Sequence, residues 1–449
     1  MIKALHLDQL DFNRGEKLLI PIGILFILSS FVTKSFCHLF EFPIDFTIWY
    51  CRMSPCDILG FLFIIITLYN FKVNRYTIPK VYKYLFLFLF LCVFSLINAE
   101  NRNITFLALS IYLYGILLSL SFYNVFNSKK KLKLLVQLIF VFVTVLGLIG
   151  LYDLFANYNN LPNIFEPRVV YKDGKVHEVV RNHIRLGFRN ASQLGSFFYF
   201  YSLILIPLVF ARKKIINYRS ILIPIFLLSI VFTIIFVSYK VSAILSLLLS
   251  MSIMLFYGRK MLDLKAMMLY LCTISIVTFI AFSINQEIRK QFDYKYRKRI
   301  VVWFKPDPTA KKSTDKFIIR NYGRAFRAFK TFPLTGVGLF NYKYYDKNEA
   351  HSTPLMLLSC TGVLGTGGFI SVFFIFFRNF YRRIREHTDE DSYFHYYYLV
   401  MLLFIGSLPS WLYDINMRKR EFWIVLAIMM ILYSITEISK NTNYTIENR

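Results

Sequence analysis

The apolar positions of this chain do not recur at the spacing of an amphipathic helix; they fill whole segments. Runs of roughly 18 or more residues that are apolar on every side read as membrane spans, not as helices of a soluble core. Twelve are predicted, near 18–34, 54–71, 83–99, 104–126, 134–156, 191–211, 220–238, 241–258, 266–284, 352–377, 394–410 and 422–439. Those near 241–258 and 394–410 are the least marked, being short or beginning beside polar residues. Only two connections are long, about 157–190 and 285–350. The expected fold class is an all-α polytopic membrane protein of about 12 transmembrane helices, a single membrane domain over 1–449 with one large extracytoplasmic loop between helices 9 and 10. The first apolar run, from about Leu18 to Val32, follows a polar stretch without a small-residue cleavage site, so it reads as a retained span and not a signal peptide.

Composition agrees: 56% of residues are hydrophobic, and only 18% are charged, against roughly 25% in soluble domains. The charge that remains fixes an orientation, because cytoplasmic loops retain Lys and Arg near span ends. With the N-terminus inside, Lys72–Lys83, Lys129–Lys133, Arg212–Arg219, Arg259–Lys265 and Arg378–Arg385 all fall on one side. One missed or invented span would reverse every later loop. Both long loops then lie outside, and both termini are cytoplasmic.

The outer 285–350 loop departs from this pattern, with 16 Lys and Arg against 6 Asp and Glu, a net charge of +10. Long loops translocate largely regardless of charge, so the orientation stands. One reading is a solvated face toward acidic headgroups. Another is a surface for an anionic ligand such as a diphosphate, which Arg recognises with fixed bidentate donors. Nucleic acid is disfavoured, since no nucleic-acid module accompanies the charge.

No cluster of carboxylates or histidines suggests a metal, and the six cysteines have no paired ligand spacing. Cys92, Cys272 and Cys360 fall within spans; Cys37, Cys51 and Cys56 lie near the first outer loop, where a disulfide is allowed but ordinary buried thiols are favoured. The Gly362–Gly368 run lies inside an apolar span and reads as close helix packing, not as a phosphate loop.

Three polar stretches border spans on the outer side. In Pro333-Leu-Thr-Gly-Val-Gly-Leu-Phe-Asn-Tyr342, two glycines allow a tight turn where the loop returns to the membrane. It is followed by Glu349-Ala-His351-Ser-Thr353-Pro354, in which Thr353 is the expected N-cap and Pro354 the first helical residue. His351 then precedes a helix N-terminus, where the dipole and nearby Arg disfavour the imidazolium; a neutral imidazole there suits a general base, or an interfacial histidine without a task. The second stretch, Arg181-Asn-His183-Ile-Arg185-Leu-Gly-Phe-Arg189-Asn-Ala-Ser-Gln-Leu-Gly195, runs directly into a span. The third, Ser238-Tyr-Lys240-Val-Ser242, is a short outer turn whose lysine either snorkels to headgroups or serves a site.

These stretches carry a resemblance. PLTGVGLFNY followed by EAHSTPLMLLSCTGVLG resembles the signature of the O-antigen ligase/O-antigen polymerase family of bacterial membrane glycosyltransferases, with His351 and Gly362 at that family's His-to-Gly spacing. RLGFRNASQLG resembles its Arg–Gly–Phe–Asn element, although the usual Asn-Pro-Asn is here Asn190-Ala-Ser192. SYKVSA resembles its Ser-Arg-Gly-Ala element with Lys240 in place of Arg, and Arg320 matches an Arg often found before the PLTGVG run. The resemblance covers roughly residues 20–440.

It implies a metal-independent, cofactor-free, inverting enzyme of the bacterial inner membrane. Such an enzyme transfers a glycan from undecaprenyl diphosphate to a hydroxyl of an acceptor glycolipid on the outer face, with a chain-length regulator as a candidate accessory partner. His351 is then the expected base, and Arg185, Arg189, Arg320 and Lys240 are the cations for the leaving diphosphate. A polymerase of O-antigen or related surface polysaccharide is expected over a ligase that joins the polymer to lipid A–core, because the second Arg motif of ligases has no clear match in 285–350. A flippase for the same lipid would place charges within spans and show internal repeats, and neither is evident.

Overall fold

A computed structural model describes residues 14–29, 47–48, 51–52, 55–71, 76–159, 164, 168–172, 175–180, 186, 191–238, 240–284, 322–342, 352–386 and 391–447. Each of the twelve apolar segments carries a helix: α1 Arg14–Ser29, α2 Pro55–Tyr69, α3 Lys80–Val93, α4 Arg102–Val125, α5 Lys129–Asn159, α6 Ala191–Phe210, α7 Leu222–Val237, α8 Val241–Gly258, α9 Leu264–Ile284, α10 Thr353–Glu386, α11 Ser392–Ser407 and α12 Arg420–Glu447. Among the described residues, six helices are long and apolar enough to cross a membrane; these are α4, α5, α6, α8, α9 and α10. Side-chain caps stop two of the chain's turns from fraying: Asn101 accepts from the Ile104 amide at 3.2 Å, and Asp391 accepts from that of Tyr393 at 3.1 Å.

A helix apolar on all sides belongs in the interior, and α6 obeys this. It packs against α5, α7, α11 and α12, while α12 also packs against α4. Of the apolar window of α6, 94% is buried, against 22% for α9, which lies at the periphery beside α7. Short basic connections meet in pairs. Lys129 pairs with Asp391 at 3.3 Å, and Lys214 with Asp263 at 3.7 Å. The Arg212 amide donates to the Met261 carbonyl at 2.7 Å.

Two features depart from the expected all-helical chain. Strands β1 (Thr47–Ile48) and β2 (Cys51–Arg52) pair antiparallel, as do β3 (Arg168–Lys172) and β4 (Lys175–Val180). The second hairpin pairs Lys172 with Lys175, and the Asp-Gly dipeptide between them in the sequence is of the kind that favours tight hairpins. The 157–190 loop is therefore partly a β-hairpin. Of the 285–350 loop, residues 322–331 are helical, and 332–342 form an irregular return.

That return inserts into α10. At Gly362 the helix breaks, with φ 60° and ψ −159°. The amides of Val363 and Leu364 donate to the carbonyls of Pro333 and Leu334 at 2.8 and 3.1 Å, and those of Val337 and Gly338 donate to Ser359 and Cys360 at 3.0 Å each. The broken ladder is thus completed by another segment, the condition under which irregular backbone is tolerated at membrane depth. Gly336, with φ 70°, makes the turn, and a Cβ there would overlap the Cys360 carbonyl group. The expected tight turn is present, but it is packed inside the protein. Gly365 and Gly368 do serve close packing, against Cys92 and Phe88 of α3; Gly362 instead breaks the helix.

Asn341 locks the inserted segment to the α3–α4 connection. Fully buried, it accepts from the Asn101 amide at 2.7 Å and donates to the Asn101 carbonyl at 3.1 Å and to Thr105 Oγ1 at 2.5 Å. Asn341→Ala would leave buried polar groups unpaired, each costing about 1–3 kcal/mol. The expected outcome is a lower midpoint in thermal unfolding of the detergent-solubilised protein, with the helical content unchanged at low temperature.

The start of α10 differs by one residue from the expectation. Ser352 is the cap, with its carbonyl accepting from the Met356 amide at 2.9 Å, and Thr353 is the first helical residue. The Thr353 hydroxyl is drawn away from capping by a tertiary partner, described next. Of the cysteines, Cys56, Cys92, Cys272 and Cys360 are free thiols; no disulfide involves Cys56.

Candidate anion site

The turn between α7 and α8 sits directly on the first turns of α6. Gly195 permits this, because any Cβ there would overlap Ser238 Oγ and lie 3.0 Å from Lys240 Cβ. Two stretches singled out in the sequence are thereby pressed together. The Lys240 carbonyl accepts from the Ala243 and Ile244 amides at 2.9 and 3.1 Å, which starts α8 and fixes the root of its side chain. The ammonium does not snorkel outward. It is largely buried and donates to Ser196 Oγ of α6 and to the carboxylate of Asp414.

Asp414 belongs to the connection between α11 and α12, and it gathers the site. Lys419 also donates to its Oδ2, at 2.5 Å, and to Asn416 Oδ1 at 2.8 Å and Ser196 Oγ at 3.1 Å. The Asp414 carbonyl accepts from the Thr353 amide at 3.1 Å and from its hydroxyl at 2.6 Å, while the Asn416 amide donates back to Thr353 Oγ1 at 3.1 Å. The third stretch, at the start of α10, is therefore tied to the same point.

Two ammonium groups share the Asp414 carboxylate, and the Glu421 carboxyl lies within electrostatic reach of both. Burial works to raise the Asp414 carboxyl, but Lys419 and Lys240 outweigh it and hold it at about 2. Lys419 is pulled down to about 7, first by burial and then by repulsion from Lys240, with Asp414 opposing both. Two desolvated ammonium groups that meet on one carboxylate oxygen are a place where an anionic ligand can compete for them.

Of the five residues proposed from the sequence, Lys240 is in this cluster. His351, Arg185, Arg189 and Arg320 lie outside the described residues. The described neighbours of His351 and Arg320 reach the cluster or its connection, and that of Arg185 packs on α5. Ser352, buried beside His351, begins α10, and Thr353 is bound to Asp414. Tyr322, two residues beyond Arg320, donates its hydroxyl to the Leu412 carbonyl of the α11–α12 connection at 2.9 Å. Leu186, between Arg185 and Gly187, is buried with φ 47° against Gly150 of α5, where a Cβ would lie 3.2 Å from its Cδ1.

Sequence reasoning missed Asp414, Asn416 and Lys419. The signal was present, since Asp414-Ile-Asn-Met-Arg-Lys-Arg420 puts three basic residues in a short connection on the side where such loops are otherwise poor in them. Arg418 of this run lies over the Phe340 ring, 3.7 Å from its centroid, and reaches Met356 Sδ at 3.7 Å, clamping the inserted segment to α10. In comparisons with known proteins, the chain matches no family model and none of the curated proteins.

Proposed function

We propose that this chain is a twelve-span inner-membrane glycosyltransferase with both termini in the cytoplasm. It transfers a glycan from undecaprenyl diphosphate to the hydroxyl of the next lipid-linked repeat, and so polymerises a surface polysaccharide. The observation that carries the reading is the shared Lys240–Asp414–Lys419 cluster, to which Thr353 is bound and beside which Tyr322 reaches the Leu412 carbonyl of the same connection. In the reaction, the acceptor oxygen bonds to the anomeric carbon as the bond from that carbon to the diphosphate oxygen breaks. The electron pair leaves on the diphosphate, and the acceptor proton passes to His351. Fixed ammonium and guanidinium groups stabilise the charge that develops on the leaving group without a metal ion.

Two measurements test this. Removing a charged hydrogen-bond donor typically costs about 1.5–3 kcal/mol, so Lys240→Ala is expected to weaken binding of a polyprenyl diphosphate about 10- to 100-fold; wild-type affinity would remove Lys240 from the donor site. For orientation, a reporter fused after Asp315 is expected to be active only outside the cytoplasm, and one fused after Lys131 only inside. The reverse pair would put the cluster on the wrong face.

A further inference from the structure

The cluster contains a cation that no sequence motif pointed to. Resting on the reading above, we propose that Lys419 is a second diphosphate-binding residue, and that Asp414 is the positioning residue that keeps its ammonium charged and aimed at the same place as Lys240.

The geometry is specific. Lys419 and Lys240 come from different connections, yet both direct Nζ to the same carboxylate oxygen, Asp414 Oδ2, and to the same hydroxyl, Ser196 Oγ. Asp414 Oδ1 is occupied by the Ile415 amide at 2.9 Å, which sets the carboxylate plane. Asn416 Oδ1 and the face of Phe200, 5.6 Å from Nζ, complete the surroundings of Lys419. Two cations are held at a common focus on one carboxylate oxygen, and a second anion would bind by exchanging some of these contacts for its own oxygens. A diphosphate carries enough charge to satisfy both.

The same arrangement makes capture of the donor depend on pH. The charged groups acting on Lys419 are Lys240 of the α7–α8 turn, Asp414 of its own connection and Glu421 of α12. Repulsion by Lys240 and burial favour the neutral amine, and Asp414 favours the ammonium. With the balance at about 7, Lys419 is charged below that pH and loses its proton above it. Anion binding is therefore strongest on the acid side and weakens as pH rises through 7. Lys240 and the arginines retain a basal affinity above it.

The test is binding of geranylgeranyl diphosphate to the purified full-length protein, measured from pH 6 to 8.5 for the wild type, Lys419→Arg, Lys419→Met, Asp414→Asn and Lys240→Ala. The ligand's own titration is common to all five, so the inference is read from differences between proteins. Lys419→Arg stays charged throughout and is expected to abolish the loss of affinity above pH 7 that distinguishes the wild type. Lys419→Met is expected to bind about tenfold more weakly at pH 6 and to match the wild type at pH 8.5. Asp414→Asn is expected to move the wild-type step to lower pH, because Lys419 loses the anion that stabilises its charge. A merely structural role for Asp414 would lower affinity without moving the step. If Lys419→Arg keeps the wild-type step, or Lys419→Met binds as the wild type at pH 6, the inference fails. If Lys240→Ala also binds as the wild type, the diphosphate reading itself fails.

Discussion

Replacing His351 by Ala is expected to lower glycan transfer about 10²- to 10⁴-fold while donor binding and the amount of protein in the membrane stay at wild-type levels. The two halves of this expectation rest on different grounds. The loss follows from removing the group that accepts the acceptor proton. The preserved fold follows from what starts α10: the Ser352 carbonyl accepts from the Met356 amide, and Thr353 is bound to Asp414 and Asn416, none of which uses the His351 side chain. Accumulation, donor binding and transfer should be measured in the same membranes. His351→Gln sharpens the result, because glutamine keeps a hydrogen bond but cannot accept and carry the proton. A Gln variant that transfers at the wild-type rate would reduce His351 to a positioning role, and His183 would become the first candidate for the base.

The largest stability effect is expected at Gly362. Its φ of 60° with ψ of −159° is accessible to glycine almost alone, and an added Cβ would overlap the carbonyl group of Leu334 and lie 2.6 Å from the Pro333 carbonyl oxygen. These obstacles are backbone, fixed by hydrogen bonds from Val363 and Leu364, so they cannot swing aside. Gly362→Ala should therefore expel the inserted segment and cost about 4–5 kcal/mol or more, the exceptional end for single substitutions. Further along the same helix, Gly367 has open space where a methyl group would sit, and Gly367→Ala is expected to be neutral or to gain up to about 1 kcal/mol in helix propensity. Thermal unfolding in detergent compares the two directly. Equal stability of both variants would show that the break at Gly362 is not a structural requirement.

The apolar runs by themselves determined where helices form, because a segment apolar on every side has no partner for its backbone except itself. The stretches around Lys240, Gly195 and Thr353 were legible as a candidate site because each puts polar residues beside an apolar run where nothing in the span pattern asks for them. Which of them meet, and through what, was decided only by the tertiary structure. Asp414 lies 174 residues from Lys240 and Lys419 lies further still, and no local spacing encodes that the two lysines share Ser196 and one carboxylate oxygen. The break at Gly362 was likewise invisible within its own segment, which reads as uninterrupted apolar helix. Its cause is the remote Pro333–Gly338 backbone, whose donors and acceptors replace those of the interrupted ladder. Hydrophobic pattern is a property of neighbours along the chain and can be read there; the pairing of buried charges and of broken backbone ladders depends on segments that only packing brings together.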